Sequence, residues 1–235
     1  TGSMGDDTPV AVLSNHYRPI SHYFRQNFSQ VTNPPIDSLR ENKVMSLKTR
    51  FGNLGNILDF ENLTKENIYV LDSPVLTNSQ LKKFKTMFSK KIKVIDCTFD
   101  TKNTLRNRIE EIREEAEIAV RGGANHLILS DQNISEERAI VPMILAVGAI
   151  HSYLVKLSLR GYASLNAQTA EAMDTHSFAV LIGVGATTVN PYLAIDSIFQ
   201  RYEKKLFGEL DFASCVERFK KSINAGLLKI MSKMG

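Results

Sequence analysis

The sequence predicts an α/β protein with mostly parallel strands. From residue 68 onward, short segments rich in β-branched residues alternate with amphipathic segments of ten or more residues. Parallel strands joined by helices produce this alternation. With 235 residues and a hydrophobic share of 43%, the chain is also long enough to bury a substantial core. The alternation alone leaves a closed barrel and an open sheet equally possible.

Residues 1–67 form a mixed N-terminal segment in this interpretation. A short apolar run at 11–14 predicts a strand, and helical spacing of apolar residues predicts a helix over 19–30. A second helix is predicted to begin at Asp37 and to continue through Leu47. Residues 51–67 are rich in glycine and asparagine and predict a long surface loop, a type of segment that often meets a partner or another domain.

Residues 68–235 form the repeating β/α portion of the same domain. Strands are predicted at 68–71, 92–98, 126–129, 162–166 and 188–189. Helices are predicted at 78–88, 105–120, 136–159, 171–182 and after Pro191. Gly122 and Gly123 are expected to end the 105–120 helix. A C-terminal helix carries a core stripe made of Phe219, Ile223, Leu227, Ile230 and Met234.

Composition argues against several function classes. The net charge is only +4 and the lysines are scattered or paired without interleaved aromatic residues, so nucleic-acid binding is not expected. No apolar run reaches the ~20 residues that span a bilayer, so no membrane contact is expected. Cys97 and Cys215 are far apart in sequence, which is typical of a reducing, cytoplasmic environment.

Candidate catalytic groups are few. None of the five histidines has metal-ligand spacing, so structural roles are expected for His126, His151 and His176. Ser130 and Asp131 follow a strand, where parallel α/β folds place ligands. The alternative is that they only end the strand while Ser135 caps the next helix.

Two further motifs resemble binding sites only superficially. The glycines of segment 183–188 follow a helix, whereas a dinucleotide fingerprint follows a strand, so they are expected to end that helix. The acidic run at Asp6 and Asp7 is interpreted as a turn rather than an acid–base pair.

A proline corner at residues 31–37 separates the two N-terminal helices. Pro34 and Pro35 fix two φ angles and extend the residues before them, so Thr32 and Asn33 are held on a stiff turn. Such a corner can simply end one helix while Asp37 caps the next.

Several blocks spread from the first residues to the last resemble the central domain of the glutamate synthase large chain. They occur in the family's order and are found at residues 2–9, 31–37, 54–58, 72–76, 183–190 and 226–235. The resemblance implies an irregular (β/α) barrel-like fold. It also implies a bridging role between a glutamine amidotransferase domain and an FMN domain of the same chain.

The parent enzyme that this resemblance implies makes glutamate from glutamine and 2-oxoglutarate. Its expected cofactors are FMN, a 3Fe-4S cluster and NADPH, with ferredoxin as the alternative electron donor, and a small beta subunit is an expected partner. No cofactor is expected in the present chain itself. Both ends look cut, which suggests a piece of a longer chain. Set against the family, the piece lacks the nucleophilic cysteine, the cluster cysteines and most of the flavin barrel, so on its own it is expected to be catalytically inactive. An autonomous flavin-binding (β/α)-barrel enzyme is the alternative.

Carried over residue by residue, the resemblance implies three site residues near the flavin. The segment containing Met4 matches a family segment beside the ammonia tunnel and flavin site. Thr32 and Asn33 match the segment at the tunnel mouth, where a hydroxyl can hydrogen-bond ammonia and a methionine can act as an apolar gate. Residues 168–174 depart from the family pattern, with Met173 standing where many members carry arginine.

Overall fold

The computed structural model of the chain describes residues 15, 18–24, 36–37, 39–52 and 68–234. The strands are β1 (Thr49–Gly52), β2 (Ile68–Leu71), β3 (Ile92–Asp96), β4 (Thr98–Asp100), β5 (His126–Ser130), β6 (Arg138–Ile140), β7 (Ser164–Gln168) and β8 (Thr188–Asn190). The helices are α1 (Glu41–Val44), α2 (Asn78–Met87), α3 (Leu105–Arg121), α4 (Met143–Lys156), α5 (Thr175–Gly183), α6 (Tyr192–Glu203) and α7 (Phe212–Met234).

A four-stranded parallel sheet lies at the centre, in the order β3–β5–β7–β8. Val75 adds a parallel bridge to Val189 at the β8 edge. The α/β class with parallel strands is therefore confirmed. Closure of the strands into a barrel stays a prediction. No helix in the described part of the chain combines the length and apolar composition that crossing a membrane requires.

One face of this sheet forms the main hydrophobic core. Leu127, Leu129, Leu165 and Val189 are fully buried there against helices α3, α4, α5 and α7. Helix α3 contributes Ile112, Ala116 and Val120 to this core. Alternate strand residues share a face, so this apolar layer uses every second position of each strand.

The opposite face of the sheet is largely polar and is covered by α2. Its buried side chains are His126, Ser130, Ser164, Asn166, Gln168, Thr188 and Asn190, with Ile128 as the apolar exception. Helix α2 begins with a capping box, in which Thr77 accepts from the Gln80 backbone N–H and the Gln80 side chain accepts from the Thr77 N–H. Phe84 of α2 then packs on Ile128.

The long helix predicted over 136–159 is wrong in its first third. Residues 138–140 form β6, which pairs antiparallel with β4, and the helix begins only at Met143. Ser135 bridges to Arg138 instead of capping a helix. A strand of three residues is too short to show an alternating hydrophobic pattern. Pro142 could have indicated where the helix begins, because proline is favoured at helix starts.

Other boundaries differ by a few residues. The strand predicted at 162–166 runs from 164 to 168, and the helix predicted from 171 begins at Thr175, after Asp174 accepts a hydrogen bond from the Ser177 N–H. The strand predicted over 92–98 divides into β3 and β4. These shifts arise because capping and pairing, rather than periodicity, decide where an element ends.

The predicted N-terminal elements are described only in part. The helix predicted from Asp37 to Leu47 is a single turn, α1, while the Asp37 carboxylate accepts two backbone N–H bonds at 3.0 Å. Residues 20–23 form a 3₁₀ turn within the helix predicted over 19–30. The start of the predicted loop at 51–52 belongs to β1, which pairs with β2. The strand predicted at 11–14 and residues 53–67 lie outside the described residues.

The glycines of segment 183–188 end a helix, as predicted. The N–H of Gly185 donates to the carbonyl of Ile182, and the N–H of Ala186 to that of Leu181. Gly185 has a φ of 120°, and a Cβ there would lie 2.4 Å from the His151 ring. Glycine is required at this position by its backbone angle and by its contact with His151.

Candidate functional site

The three predicted site residues, Met4, Thr32 and Asn33, lie outside the described residues. The segment that follows the proline corner in sequence is held by α7. Glu41 is 8% exposed, and its Oε1 accepts from Lys229 Nζ at 3.0 Å and from Ser232 Oγ at 3.1 Å. An ion pair with a second donor on one carboxylate oxygen fixes this part of the chain better than an exposed pair would.

A second contact joins the N-terminal part to the helices. His176 Nε2 of α5 donates to the Ser21 carbonyl at 2.8 Å. His22 lies 4.0 Å from the Asp174 carboxylate, which caps α5. Residues 20–23 and α1 therefore contact different helices of the β/α portion.

Asp131, singled out from the sequence, lies at the carboxyl end of the parallel sheet. It is 1% exposed and accepts from Thr169 Oγ1 at 2.6 Å and from the Ala170 N–H at 3.0 Å. Thr169 follows β7, so Asp131 joins the ends of two neighbouring strands. These bonds show that Asp131 stabilises the strand ends, which was one of the two alternatives raised by its position.

Tyr192 and Glu171 lie within the electrostatic reach of Asp131. Burial raises the pKa of Tyr192, and the hydrogen bond and charge of Asp131 raise it further. Burial also raises the pKa of Glu171, although the hydrogen bond from the Met143 N–H at 2.6 Å opposes this, and the charge of Asp131 adds to the increase. Glu171 therefore caps α4 from a distant segment, where a carboxylate is favoured by the helix dipole.

A separate network at the end of β3 contacts the two-stranded antiparallel sheet of β4 and β6. The carboxylate of Asp96 accepts from Arg138 Nη2 at 3.0 Å, from Asn133 Nδ2 at 3.1 Å and from Thr98 Oγ1 at 2.8 Å. Burial raises the pKa of Asp96, but the hydrogen bonds from Asn133 and Thr98 and the charge of Arg138 outweigh it and lower the pKa overall. Because these hydrogen bonds occupy the Asp96 carboxylate, we interpret the network as structural.

A cavity of about 470 Å³ lies beside these strand ends, between α2 and α6. The side chains that give it polar character are Lys82, Lys85, Gln168, Asn190, Tyr192 and Asp196. Gln168 and Asn190 end β7 and β8, the lysines come from α2, and Asp196 comes from α6. The sequence prediction missed this set, because the lysines of α2 lie more than eighty positions before the residues of β7, β8 and α6.

The remaining titratable groups sit in structural surroundings. The His126 ring lies 2.9 Å from Ser164 Oγ and against the rings of Phe84 and Phe88, and burial lowers its pKa to about 4. His151 Nδ1 accepts from Arg160 Nε at 3.1 Å, and burial, followed by the charge of Arg160, lowers the pKa of this histidine. Both contacts are those of core histidines.

The cysteines do not suggest a cluster site. Burial raises the pKa of the Cys97 thiol to about 12, with the Asp131 charge adding to the effect, and Cys215 is also buried. Within the described ranges, no group of three or more His, Cys, Asp or Glu side chains is placed to hold a metal ion. Iron–sulfur clusters are held by sets of reactive thiolates. Two buried cysteines do not fit that requirement.

Comparison with known proteins decides the family. The Glutamate synthase central domain family matches residues 1–235. The chain belongs to this family. It is 55% identical to the glutamate synthase (NADPH) large chain of Azospirillum brasilense, and all of the chain aligns with 16% of that protein.

More distant relatives give the same assignment. Identity is 39% to the glutamate synthase (NADPH) large chain of Bacillus subtilis and 38% to the ferredoxin-dependent glutamate synthase 2 of Synechocystis sp., and each alignment covers the whole chain. The chain spans about 15–16% of the length of these proteins. It therefore corresponds to one domain of a glutamate synthase large chain.

Two residues of segment 168–174 have different surroundings in the structure. Gln168 lines the cavity and accepts from Lys85 Nζ at 3.2 Å. Met173 is 49% exposed, so about half of its surface is open to solvent. The first position of the segment therefore contributes to the cavity, whereas the methionine lies on the surface.

Proposed function

We propose that this glutamate synthase central domain bridges the amidotransferase and FMN domains of its chain and forms part of the wall of an ammonia tunnel. The parent enzyme would make glutamate from glutamine and 2-oxoglutarate. The observation that carries the proposal is the family match over residues 1–235, together with the small share of each relative that the chain covers.

In this proposal Met4, Thr32 and Asn33 line the tunnel near the flavin. The contact of Glu41 with Lys229 and Ser232 supports the role of the proline corner, because it fixes the chain four residues after Asp37 on α7. Residues 1–67 and 68–235 would then act as one domain. The contacts of Ser21 with α5 and of Glu41 with α7 support this arrangement, because they join the two parts of the chain.

The cofactors belong to the parent enzyme rather than to this chain. FMN, a 3Fe-4S cluster and NADPH, with ferredoxin as the alternative donor, would be held by other residues, since the two cysteines are buried and the glycines at 183–185 end a helix. A small beta subunit would deliver electrons from NADPH. The location would be cytoplasmic.

The tunnel role can be tested in the full-length chain with Thr32→Val and Asn33→Leu. If these side chains line the tunnel, more ammonia escapes, and the ammonia released per glutamate formed rises while glutamine hydrolysis continues. Thr101→Val, which alters an exposed threonine beyond β4, is the matched control. A ratio equal to that of the control for both tunnel variants would contradict the proposed lining.

Catalytic inactivity of the isolated domain is tested by adding glutamine, 2-oxoglutarate, FMN and a reductant to purified residues 1–235. We expect no glutamate and no saturable flavin binding at about 100 μM FMN, a concentration at which weaker contacts are incidental. Stoichiometric binding at low micromolar FMN would favour an autonomous flavin barrel instead.

A further inference from the structure

The floor of the cavity between α2 and α6 is formed by buried side chains at the carboxyl ends of β7 and β8. Gln168 and Asn190, which end these strands, are 6% and 1% exposed. Asn190 Nδ2 donates to the Leu76 carbonyl and to Asn78 Oδ1, both at 2.9 Å, which fixes the orientation of its amide. Ligands of parallel α/β folds bind at this end of the sheet.

One wall of the cavity is a set of hydrogen-bond donors. Lys85 Nζ donates to Gln168 Oε1 at 3.2 Å, and Lys82, one helical turn earlier in α2, lines the same cavity. Burial lowers the pKa of Lys85, which shows that its ammonium group is partly removed from water without a carboxylate beside it. A bound carboxylate would supply the missing counter-charge.

The facing wall, on α6, carries the carboxylate of Asp196. Asp196 Oδ1 accepts from Asn78 Nδ2 at 3.4 Å, and Asn78 Oδ1 in turn accepts from Asn190, so the three residues form a connected row. Asn190 Oδ1 is buried and has no hydrogen-bond partner in the described part of the chain. A buried acceptor without a donor is costly, and native structures usually satisfy it with a ligand or water.

From these contacts we infer that the cavity binds a dicarboxylic amino acid, a molecule of the class of L-glutamate or L-aspartate. The two lysines match two carboxylates, and the Asp196 carboxylate matches one ammonium group. The lining side chains carry a net charge of +1, opposite to that of such an amino acid at neutral pH. The volume of about 470 Å³ is ample for one molecule of this size.

This site goes beyond the tunnel role and does not depend on it. The tunnel residues precede Asp37 in sequence, whereas the cavity is formed by α2, α6 and the ends of β7 and β8. A molecule bound here would contact four elements at once. Amino-acid binding would therefore tighten the contact of α2 and α6 with the sheet.

The test is lysine acetylation of the full-length protein, followed residue by residue by peptide mass spectrometry. L-Glutamate should slow acetylation of Lys85 in a saturable way, about tenfold at ten times the dissociation constant. Lys83, exposed on the same helix and outside the cavity, is the internal control. Succinate, which lacks the ammonium group, should protect Lys85 less.

Two variants separate amino-acid recognition from simple anion binding. Asp196→Asn, at an exposed position of α6, should remove the preference for L-glutamate over succinate. Lys82→Gln should weaken protection of Lys85 by both molecules, whereas Lys83→Gln should leave it unchanged. Because the readout is local to Lys85, it is independent of glutamate synthesis and of ammonia loss.

Three outcomes would overturn the proposal. The first is no concentration-dependent protection of Lys85 by L-glutamate. The second is equal protection by succinate in the unaltered protein, which would indicate a site for any anion. The third is an equal effect of Lys82→Gln and Lys83→Gln, which would indicate a general charge effect of the helix.

Discussion

On one face of the parallel sheet Leu129, Leu165 and Val189 pack against apolar helices, whereas on the other face Ser164, Asn166 and Thr188 hydrogen-bond to one another. The same strands supply both faces through alternate residues. Burial is nearly complete on both. The apolar face is stabilised by removing surface from water, and the polar face by hydrogen bonds among most of the groups that it buries.

This difference has a functional consequence. A buried polar face keeps its groups in place only if they are paired, so a group left without a partner marks a position where something else binds. Asn166 is fully engaged, whereas Asn190, at the end of the neighbouring strand β8, has a side-chain oxygen without a hydrogen-bond partner within the described residues. The polar face therefore changes from a structural network at its centre to a binding surface at its carboxyl end.

The largest expected effect is on the apolar face. Leu129→Ala should reduce the free energy of unfolding by about 2–5 kcal/mol, because it leaves a cavity among helices that cannot close around it. Urea unfolding of the purified protein measures this loss. Leu39→Ala, at a residue 85% exposed, is the control and should have little effect. Equal losses at the two positions would remove the basis of the comparison.

Protonation of His126 on the polar face should have the next largest effect. Burial lowers the folded pKa to about 4, against ~6.5 in the unfolded chain. Between these values the unfolded chain binds a proton that the folded chain excludes. The free energy of unfolding should therefore keep its full value above about pH 6.5. It should fall by up to ~3 kcal/mol as the pH decreases to about 4.

The measurement for His126 is urea unfolding at a series of pH values across that range. His126→Gln keeps a polar side chain but cannot take up a proton, so the dependence on pH should become shallower. The quantity compared is the slope of the unfolding free energy against pH, not the stability of the variant at one pH. An unchanged slope between the two proteins would show that other groups cause the loss.

A smaller effect is expected from the central hydrogen bonds of the polar face. Asn166→Leu leaves the Thr188 hydroxyl and the Leu127 carbonyl without their bonds of 2.7 and 3.2 Å, and should cost about 1–3 kcal/mol. Adding Thr188→Val removes the hydroxyl that Asn166→Leu leaves without a hydrogen bond. The double variant should therefore lose less than the sum of the single losses.

The double-mutant cycle is evaluated by unfolding of all four proteins under one condition. A coupling free energy of at least about 0.5 kcal/mol is expected for two residues in direct contact. Strict additivity would mean that the two side chains do not depend on each other in the folded state.

The smallest effect is expected outside both faces. Arg121→Ala removes an exposed ion pair with Glu117, of 2.8 Å between Nε and Oε1 on α3, and should change stability by at most about 0.5 kcal/mol. Thermal unfolding at low and high salt is the check. A loss comparable to that of Leu129→Ala would reverse the ranking of surface and core.

The periodic elements were the predictable part of this fold. Helix α3 and strand β5 lie where hydrophobic spacing predicts them, because each has a period long enough to be read. The strand at Arg138–Ile140 was missed, because three residues have no period and its pairing with β4 depends on the ion pair of Arg138 with Asp96. Local spacing carries no information about such a partner.

The candidate sites show the same limit. Position after a strand was enough to single out Asp131, yet only its bonds to Thr169 and Ala170 showed that it joins strand ends. The cavity was not foreseen at all. Lys85 on α2 and Asn190 on β8 line the same cavity. They do so because β8 lies beside the segment that leads into α2.

By itself, the sequence determined the family, the α/β class and the positions of most helices and strands, because these depend on composition and on spacing along one segment. Tertiary structure alone decided which polar groups are satisfied and which remain open, since that depends on strand order, register and helix placement. The Glu41 contact with α7 and the donor and acceptor walls of the cavity are of this second kind. Each joins residues more than eighty positions apart.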